Sequence, residues 1–436
     1  MNQKSQSINK IQFKDEIVNE QSGIACQRGK YIDKGVLAVG IDIGRNIHEQ
    51  IGTTIEGGYT SSYKFSNSRR GVEKAEEMIQ KWKKQFGKDR VVIGYESTGN
   101  YWRPLIYYLQ DKGYETQEVS AVHTKKMREM YDNSPLKTDE KSAMIIADLI
   151  KQGKRLHAIT PRAEMMTLRQ FVKVYRDLTK EYVSVCNRIT AIQDITFPER
   201  HTIIKSIDNV TSLYLFNTAA FPPDIEAKGL KWLEKQMKMK SKGKYTALAA
   251  SKLYTLNQET IGLKEGLEGF RYELKLLLKR LNDINEQIEE VKEQISIMIQ
   301  NNEDSKYLKS IKGIGDTIAA AIIAETGGLE NFNSSAELIK FAGLSLYEVS
   351  SGDHKGTKRI TRRGRSSLRH MIYFAAMQQT RKGMPLYDFY RELVDRNVCK
   401  IKAIIAVARK LLRIIFSLVK NKQYYDCNYD KNKRKA

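Results

Sequence analysis

Val36-Leu37-Ala38-Val39-Gly40-Ile41-Asp42-Ile43-Gly44 is a near-continuous apolar run that closes on a carboxylate and a glycine. A strand buried on both faces needs such a run, because neither set of alternating side chains meets water. Asp42 stands at its end. A second run, Val91-Val92-Ile93, leads through Gly94-Tyr95 to Glu96-Ser97-Thr98-Gly99. A third segment, Lys137-Thr138-Asp139-Glu140-Lys141-Ser142-Ala143, reads as a helix start. Each acid has a plainer reading alone. Asp42 could serve the turn at Gly44, Glu96 could be an exposed strand end, and Asp139 could be a helix N-cap or first-turn acid. Taken together, they place three carboxylates where a metal-dependent nuclease needs them.

Working outward, Ile51–Ile55 and Ser61–Phe65 read as two further strands with Gly57-Gly58 turning between them. Residues 70–86 carry helical apolar spacing (Val72, Ala75, Ile79, Trp82, Phe86), and Leu105, Ile106, Tyr108 and Leu109 lie on a helix closed by Gly113. Three strands, then alternating helices and strands, predict an α/β domain of RNase H-like order over residues 35–160. Residues 1–34 are polar and read as a flexible extension.

From about 161 to 304 the pattern is helical. Leu274, Leu277, Leu281, Ile284, Ile288, Val291, Ile295 and Met298 step by threes and fours, a coiled-coil seam whose partner is either residues 166–195 or another subunit. Residues 198–265 interrupt it with Phe221-Pro222-Pro223 and lysine-rich stretches, an insertion whose role the sequence does not give. A mostly α domain follows over residues 305–420. Its Ile311-Lys312-Gly313-Ile314-Gly315 reads as a helix-hairpin-helix. There Lys312 and the backbone at Gly313 and Gly315 would meet a phosphate, or the glycines simply make a tight turn. Residues 421–436 form a basic tail.

The 436-residue chain carries 74 Lys+Arg against 51 Asp+Glu, a net charge of +23, which favours a polyanionic partner. Cys26, Cys186, Cys399 and Cys427 are isolated, so a disulfide framework or zinc site is not expected. No apolar run reaches the roughly 18–20 residues of a membrane span. A cytoplasmic, nucleoid-associated prokaryotic protein is the expectation.

Phosphodiester transfer needs an activated oxygen and stabilisation of developing negative charge. Two metal ions about 4 Å apart, held by clustered carboxylates, supply both. The second focus is Gly352 to His370. Between Lys355 and His370 stand seven Lys/Arg and no acid, among them Lys358, Arg359, Arg362, Arg363, Arg365 and Arg369. Solvated faces normally mix signs, so this run suits phosphate contact. Ser350 and Ser351 precede it. A serine beside Gly352 and a guanidinium-rich loop can attack phosphorus, although spacing alone favours an ordinary Ser-Gly turn.

The chain is similar to the DEDD-type insertion-sequence transposases, the IS-one-ten family, which includes the pilin-gene invertase. The resemblance rests on Gly40-Ile41-Asp42, Tyr95-Glu96-Ser97-Thr98-Gly99-Asn100-Tyr101-Trp102, Asp132-Asn133-Ser134-Pro135-Leu136-Lys137-Thr138-Asp139, Ile311-Lys312-Gly313-Ile314-Gly315, and Ser350-Ser351-Gly352 followed by Ile360-Thr361-Arg362-Arg363-Gly364-Arg365 and Leu368-Arg369. It implies a RuvC-like domain with Asp42, Glu96 and Asp139 as Mg²⁺ (or Mn²⁺) ligands. It also implies a serine nucleophile at Ser350 or Ser351, donor and target DNA as substrates, a non-coding bridge RNA of the element as guide, and a homo-oligomer, dimer or tetramer. The family's fourth acid falls three residues after the third, where this chain has Ser142, a hydroxyl that can still ligate the metal or hold a water. Two other readings stay open: a Holliday-junction-type Mg²⁺ nuclease using the first domain alone, and a degenerate copy that binds nucleic acid without cutting.

Overall fold

A computed structural model describes residues 32–97, 99–132, 134, 136–156, 163–348, 356 and 358–426. Its N-terminal sheet is built around β1 (Val36–Ile43). β2 (Ile47–Thr53) pairs with β1 antiparallel, and β3 (Tyr63–Ser66) pairs with β2 antiparallel. On the other side β4 (Arg90–Glu96) runs parallel to β1, and β5 (Glu115–Val119) parallel to β4. The order 3-2-1-4-5 makes a mixed sheet consistent with the RNase H-like arrangement. The central position explains the apolar run, since Val36, Leu37, Ala38 and Val39 are each 0% exposed.

Among the described residues, four helices cover this sheet: α1 (Arg69–Gln85), α2 (Trp102–Asp111), α3 (Ala121–Asp132) and α4 (Asp139–Lys151). Leu37, Val39 and Ile41 pack on one face against Val72, Ile79 and Trp82 of α1 and Leu105 and Ile106 of α2. Val36, Ala38, Val92 and Val119 pack on the other against Ile145, Ile146, Leu149 and Ile150 of α4. Burial of each such aliphatic side chain contributes roughly 1.5–3 kcal/mol. α1 starts where Ser68 accepts a hydrogen bond from Gly71 N at 3.2 Å, a side-chain N-cap.

The third strand lies within two residues of its expected place at 61–65, whereas the second begins four residues before its expected place at 51–55. β2 begins at Ile47 because the chain turns back tightly after Gly44, and pairing with β1 then fixes its register. His48, Glu49 and Gln50 are buried there, so a search for apolar runs passes over them. Gly57 and Gly58 do turn, with φ of +100° and +80°, between the bridged residues Thr53 and Tyr59.

The chain divides at residue 160 into two compact units. The second is mostly helical. α5 (Ala163–Thr196) leads to α6 (Val210–Thr218), α7 (Pro222–Lys228), α8 (Leu230–Lys240) and α9 (Ala247–Glu259), and then to α10 (Leu267–Ile299). α5 and α10 run antiparallel, as the ion pairs Arg188–Glu273 at 2.7 Å and Arg280–Glu181 require. Leu274, Leu277, Leu281, Ile284 and Ile288 of α10 are buried against Val185, Ile189 and Ile192 of α5. The apolar seam thus has its partner within the same chain.

α11 (Glu303–Lys309), α12 (Asp316–Thr326) and α13 (Ser335–Phe341) follow, then the two-stranded hairpin β6 (Leu346–Tyr347) and β7 (Arg359–Ile360). α14 (Ser366–Gln379), α15 (Tyr387–Asp395) and α16 (Lys400–Lys420) complete the unit. α12 packs against both α5 and α10, and Arg169 of α5 donates to Glu325 of α12 at 3.1 Å. The helical middle and the last third therefore share one unit, where the sequence reading separates them near residue 304.

Candidate active site

The face of the sheet toward α4 is opened by two glycines. A Cβ on Gly40 would fall far inside contact with the Ala143 carbonyl oxygen and the Ala147 amide of α4, and 3.1 Å from the Ala143 carbonyl carbon. A Cβ on Gly94 would press on Ile150 and lie 2.9 Å from Ile146 Cγ2. Only glycine lets the helix lie this close to the strands. Gly40 pairs with Gly94 and Ile41 with Tyr95 in the parallel register, so Asp42 and Glu96 follow at the same level on neighbouring strands. Strand side chains alternate, so both acids share the glycines' face. α4 starts at Asp139, just beyond that level, with Thr138 as its cap accepting from Lys141 N at 3.1 Å.

Electrostatics records the convergence. The Asp42 carboxyl is pushed up from 3.8 to about 6, first by burial, then by the negative charge of Asp139, with Glu96 and Glu49 adding to it and Lys137 opposing. Glu49 and Lys137 are the members that sequence reasoning missed. Glu49 lies directly opposite Asp42 in the β1–β2 ladder, is 3% exposed, and faces Lys64 across the next ladder at 3.7 Å. The tight turn after Gly44 was the only available signal, because it fixes which β2 residue opposes Asp42. Glu96 is held from behind, with Thr124 Oγ1 of α3 donating to its Oε2 at 2.5 Å.

Ser142 is on α4, 6% exposed, and its hydroxyl donates to the Thr138 carbonyl at 2.9 Å. That bond spends its proton on the helix and leaves the oxygen lone pairs. Asp148 serves the opposite end of α4: Tyr59 Oη donates to it at 2.6 Å and Lys151 pairs with it at 2.6 Å. Among the described residues no three acidic, histidine or cysteine side chains are closed into a coordination shell. The donor set around Asp42 is nonetheless all oxygen and anionic, which fits a hard divalent cation that keeps several waters, rather than zinc.

In the second unit, Ser350 and Ser351 lie outside the described residues. Lys358, Arg359, Arg362 and Arg363 are exposed, and Arg362 adopts φ +53°. Arg365 is half-buried, 5.8 Å over the Phe341 ring. Arg369 differs from the sequence reading. Its Nη1 donates to the Ala342 and Arg362 carbonyls at 3.0 and 3.3 Å, so it braces the loop from inside, and burial with the nearby Arg362 charge lowers its pKa. At the Gly-x-Gly turn, Gly313 has φ +94° and faces Gln379, whose Nε2 donates to the Lys312 carbonyl at 2.7 Å. Lys312 itself donates to the Gly383 carbonyl at 3.2 Å. Gly315, in open space, caps the start of α12. Gly313 thus packs as a tight turn, while Gly315 keeps an open approach to a helix N-terminus.

Residues 39–198 match a family model described as a transposase, of the DEDD type named for IS110, and residues 305–391 match one described as the transposase IS116/IS110/IS902 family. An IS110 insertion-element protein of 43.6 kDa from Streptomyces coelicolor is 22% identical over 90% of this chain and 96% of its own length. An IS116 insertion-element protein of 44.8 kDa from Streptomyces clavuligerus is 20% identical over 89% of this chain and 95% of its own. The transposase for insertion sequence element IS1111A from Coxiella burnetii is 27% identical over 39% of this chain and 47% of its own.

Proposed function

Because the chain belongs to the IS110/IS116 family of insertion-sequence transposases, we propose that it cuts and rejoins DNA by pairing a carboxylate-held divalent ion with a serine nucleophile. The observation that carries this reading is the shared level of Asp42 and Glu96 on adjacent parallel strands, facing the helix that Asp139 opens. Asp42, Glu96 and Asp139 would hold Mg²⁺ or Mn²⁺, with Glu49 adding charge from β2 and Ser142 a hydroxyl. The bound ion supplies charge stabilisation at phosphorus and lowers the pKa of an attached oxygen.

Ser351 or Ser350 supplies the attacking oxygen. Its Oγ bonds to phosphorus, the bond from phosphorus to the departing sugar oxygen breaks, and the serine proton ends on that oxygen. A second transesterification reverses these steps with a new strand end. Bond count is conserved, so no external energy source is needed. Arg359, Arg362 and Arg363 would neutralise phosphate charge beside the serine, and Arg369 positions their loop. Further parts of the reading are a helix-hairpin-helix at α11–α12 that approaches phosphate through Gly315, a coiled-coil α5–α10 pair, guidance by the element's own non-coding RNA, and a homo-oligomeric assembly.

The test is covalent trapping. With donor and target DNA, the element's flanking RNA and Mg²⁺, the parent is expected to form a denaturation-resistant protein–DNA adduct. Ser351→Ala should remove the adduct and strand transfer while leaving DNA binding intact, and Ser350→Ala should be milder by at least about tenfold in rate, since a neighbouring hydroxyl cannot take over in-line geometry. The reverse result assigns the role to Ser350. Full activity in the double variant would eliminate serine catalysis.

One observation favours a second reading, a nucleic-acid-binding copy without catalysis: Ser142 brings no charge, and its proton is committed to Thr138. Ser142→Asp, one helical turn from Asp139, is expected to tighten Mn²⁺ binding by about tenfold and to raise cutting with it. Tighter binding with no cutting at all would establish the second reading.

A further inference from the structure

Arg200 sits in the 3₁₀ turn Pro198–Thr202 that follows α5, and it is only 5% exposed. Its Nη1 donates at 2.6 Å to Oε1 of Gln193, which is 4% exposed, and its guanidinium lies 4.0 Å from the centre of the Phe216 ring. That bond orients the Gln193 amide, since the atom facing a guanidinium must be its oxygen. Two buried donors are left without an acceptor among the described residues, Arg200 Nη2 and Gln193 Nε2. Both residues line one cavity of about 30 Å³, formed by the end of α5, this turn and the start of α6. Phe197, Ile204 and Ile207 make part of its wall apolar. Ser206 and Ser212 also line it, but their hydroxyl protons go to the Asp208 carboxylate and the Ser206 carbonyl.

A buried guanidinium normally faces a carboxylate, because a charge taken out of water is strongly disfavoured unless it is neutralised nearby. Arg200 has no such partner among the described residues. The lining carboxylate, Asp194, is exposed and forms no ion pair with it. Burial pulls the Arg200 pKa down to about 9, opposed only by the Tyr245 phenol, so the positive charge persists at neutral pH. The positive end of α6 adds to it, since Ser212 stands in the first turn of that helix. Both unsatisfied atoms are donors. A water accepts from them but brings two protons of its own and no charge. A monatomic anion accepts from both and neutralises the guanidinium. A volume of about 30 Å³, roughly the share of one water in the liquid, fits such an ion and not a nucleotide.

We infer that Arg200 and Gln193 form a binding site for one small monovalent anion of chloride size. The site stands between two cores: Phe216 belongs to the core of the α5–α10 pair, and Phe197, Ile204 and Leu215 belong to that of the insertion. An anion held there ties the turn to the end of α5 and so fixes the insertion to the helix pair. The site shares no residue with the carboxylate cluster or the serine loop, and it does not depend on the catalytic reading above.

The melting temperature of the full chain is followed as chloride replaces gluconate, an anion too large for the cavity, at constant ionic strength. Gln193→Glu is measured beside the parent. Its carboxylate supplies the missing charge against Arg200, so it should melt higher than the parent in gluconate and gain nothing specific from chloride. Both anions also act on the whole surface, so the reading is the parent's chloride response minus that of Gln193→Glu. An ion that binds only the folded state should make this difference about 2–4 °C for each tenfold step in chloride once the site is filled. Arg200→Gln should melt lower than the parent and show no such difference. Should that variant fail to fold, the comparison with Gln193→Glu still decides. Equal responses in the parent and Gln193→Glu, whether both flat or both rising, would overturn the inference and leave water as the partner of the two donors.

Discussion

Asp42→Asn should abolish strand cutting, by at least about a thousandfold, and at the same time make the folded protein more stable at neutral pH. The first effect follows from losing the carboxylate nearest the centre of the cluster, since the charge stabilisation it supports is worth several kcal/mol. The second follows from electrostatics. Raising a carboxyl from 3.8 to about 6 costs the folded state about 3 kcal/mol at neutral pH before screening. Asp42 is partly open to water, so about 1–2 kcal/mol is the expected gain on neutralising it. The sign sets the pH window. A carboxyl held above its unfolded value penalises the native state fully above about 6, progressively less as pH falls, and not at all below 3.8. Thermal melts should therefore show the variant ahead of the parent at pH 7.5 and level with it near pH 3.5. Millimolar Mg²⁺ should raise the melting temperature of the parent and not of the variant. A variant that still cuts within tenfold of the parent would remove Asp42 from the chemistry.

Gly40→Ala is expected to be nearly as damaging to activity, by a purely steric route. Its new Cβ meets backbone atoms of α4, the Ala143 carbonyl and the Ala147 amide, which cannot rotate away as a side-chain end could. The helix has to lift from the sheet, and Asp139 at its start moves with it. Overpacking of this kind costs about 1–3 kcal/mol and at times more. A displacement of about 1 Å at a catalytic group costs on the order of a hundredfold in rate. Gly57→Ala is the matching control. Unlike Gly40, that glycine sits at positive φ, +100°, but a Cβ there meets nothing within 4 Å, so some strain and little loss of activity are expected. Equal activity for Gly40→Ala and the parent would show that α4 does not set the position of Asp139.

The central strand was legible because burial on both faces leaves an unmistakable apolar run, and the parallel neighbour was legible for the same reason. β2 was not. Its inner residues are His48, Glu49 and Gln50, polar groups buried by register and not by hydrophobicity, and so Glu49 escaped notice although it faces Asp42 directly. The α10 seam was plain from its spacing, but spacing cannot say which helix fills it, and Val185, Ile189 and Ile192 of α5 do so within the chain. Arg369 shows the limit of reading charge runs. Sequence counts its guanidinium with the others, yet the fold turns it back onto two carbonyls. Sequence carries charge but not direction.

The way β1 is enclosed also bears on how the protein is made. Its partners come from ever farther along the chain: β2 directly after the turn, β4 through Val36 and Arg90, and finally α4, which covers Gly40 with Ala143. At about 5–20 residues per second, these segments leave the ribosome several seconds apart. Until α4 has emerged, one face of the sheet has, among the described residues, only Met127 and Tyr131 of α3 and Ile32 to cover it, and Asp42 and Glu96 stand without Asp139. A transcript broken off before that point therefore yields a fragment whose sheet is incompletely covered, prone to aggregation, and which lacks Asp139 altogether. Among the described residues, the last helix of the unit to be translated is the one that brings Asp139 to the level of Asp42 and Glu96.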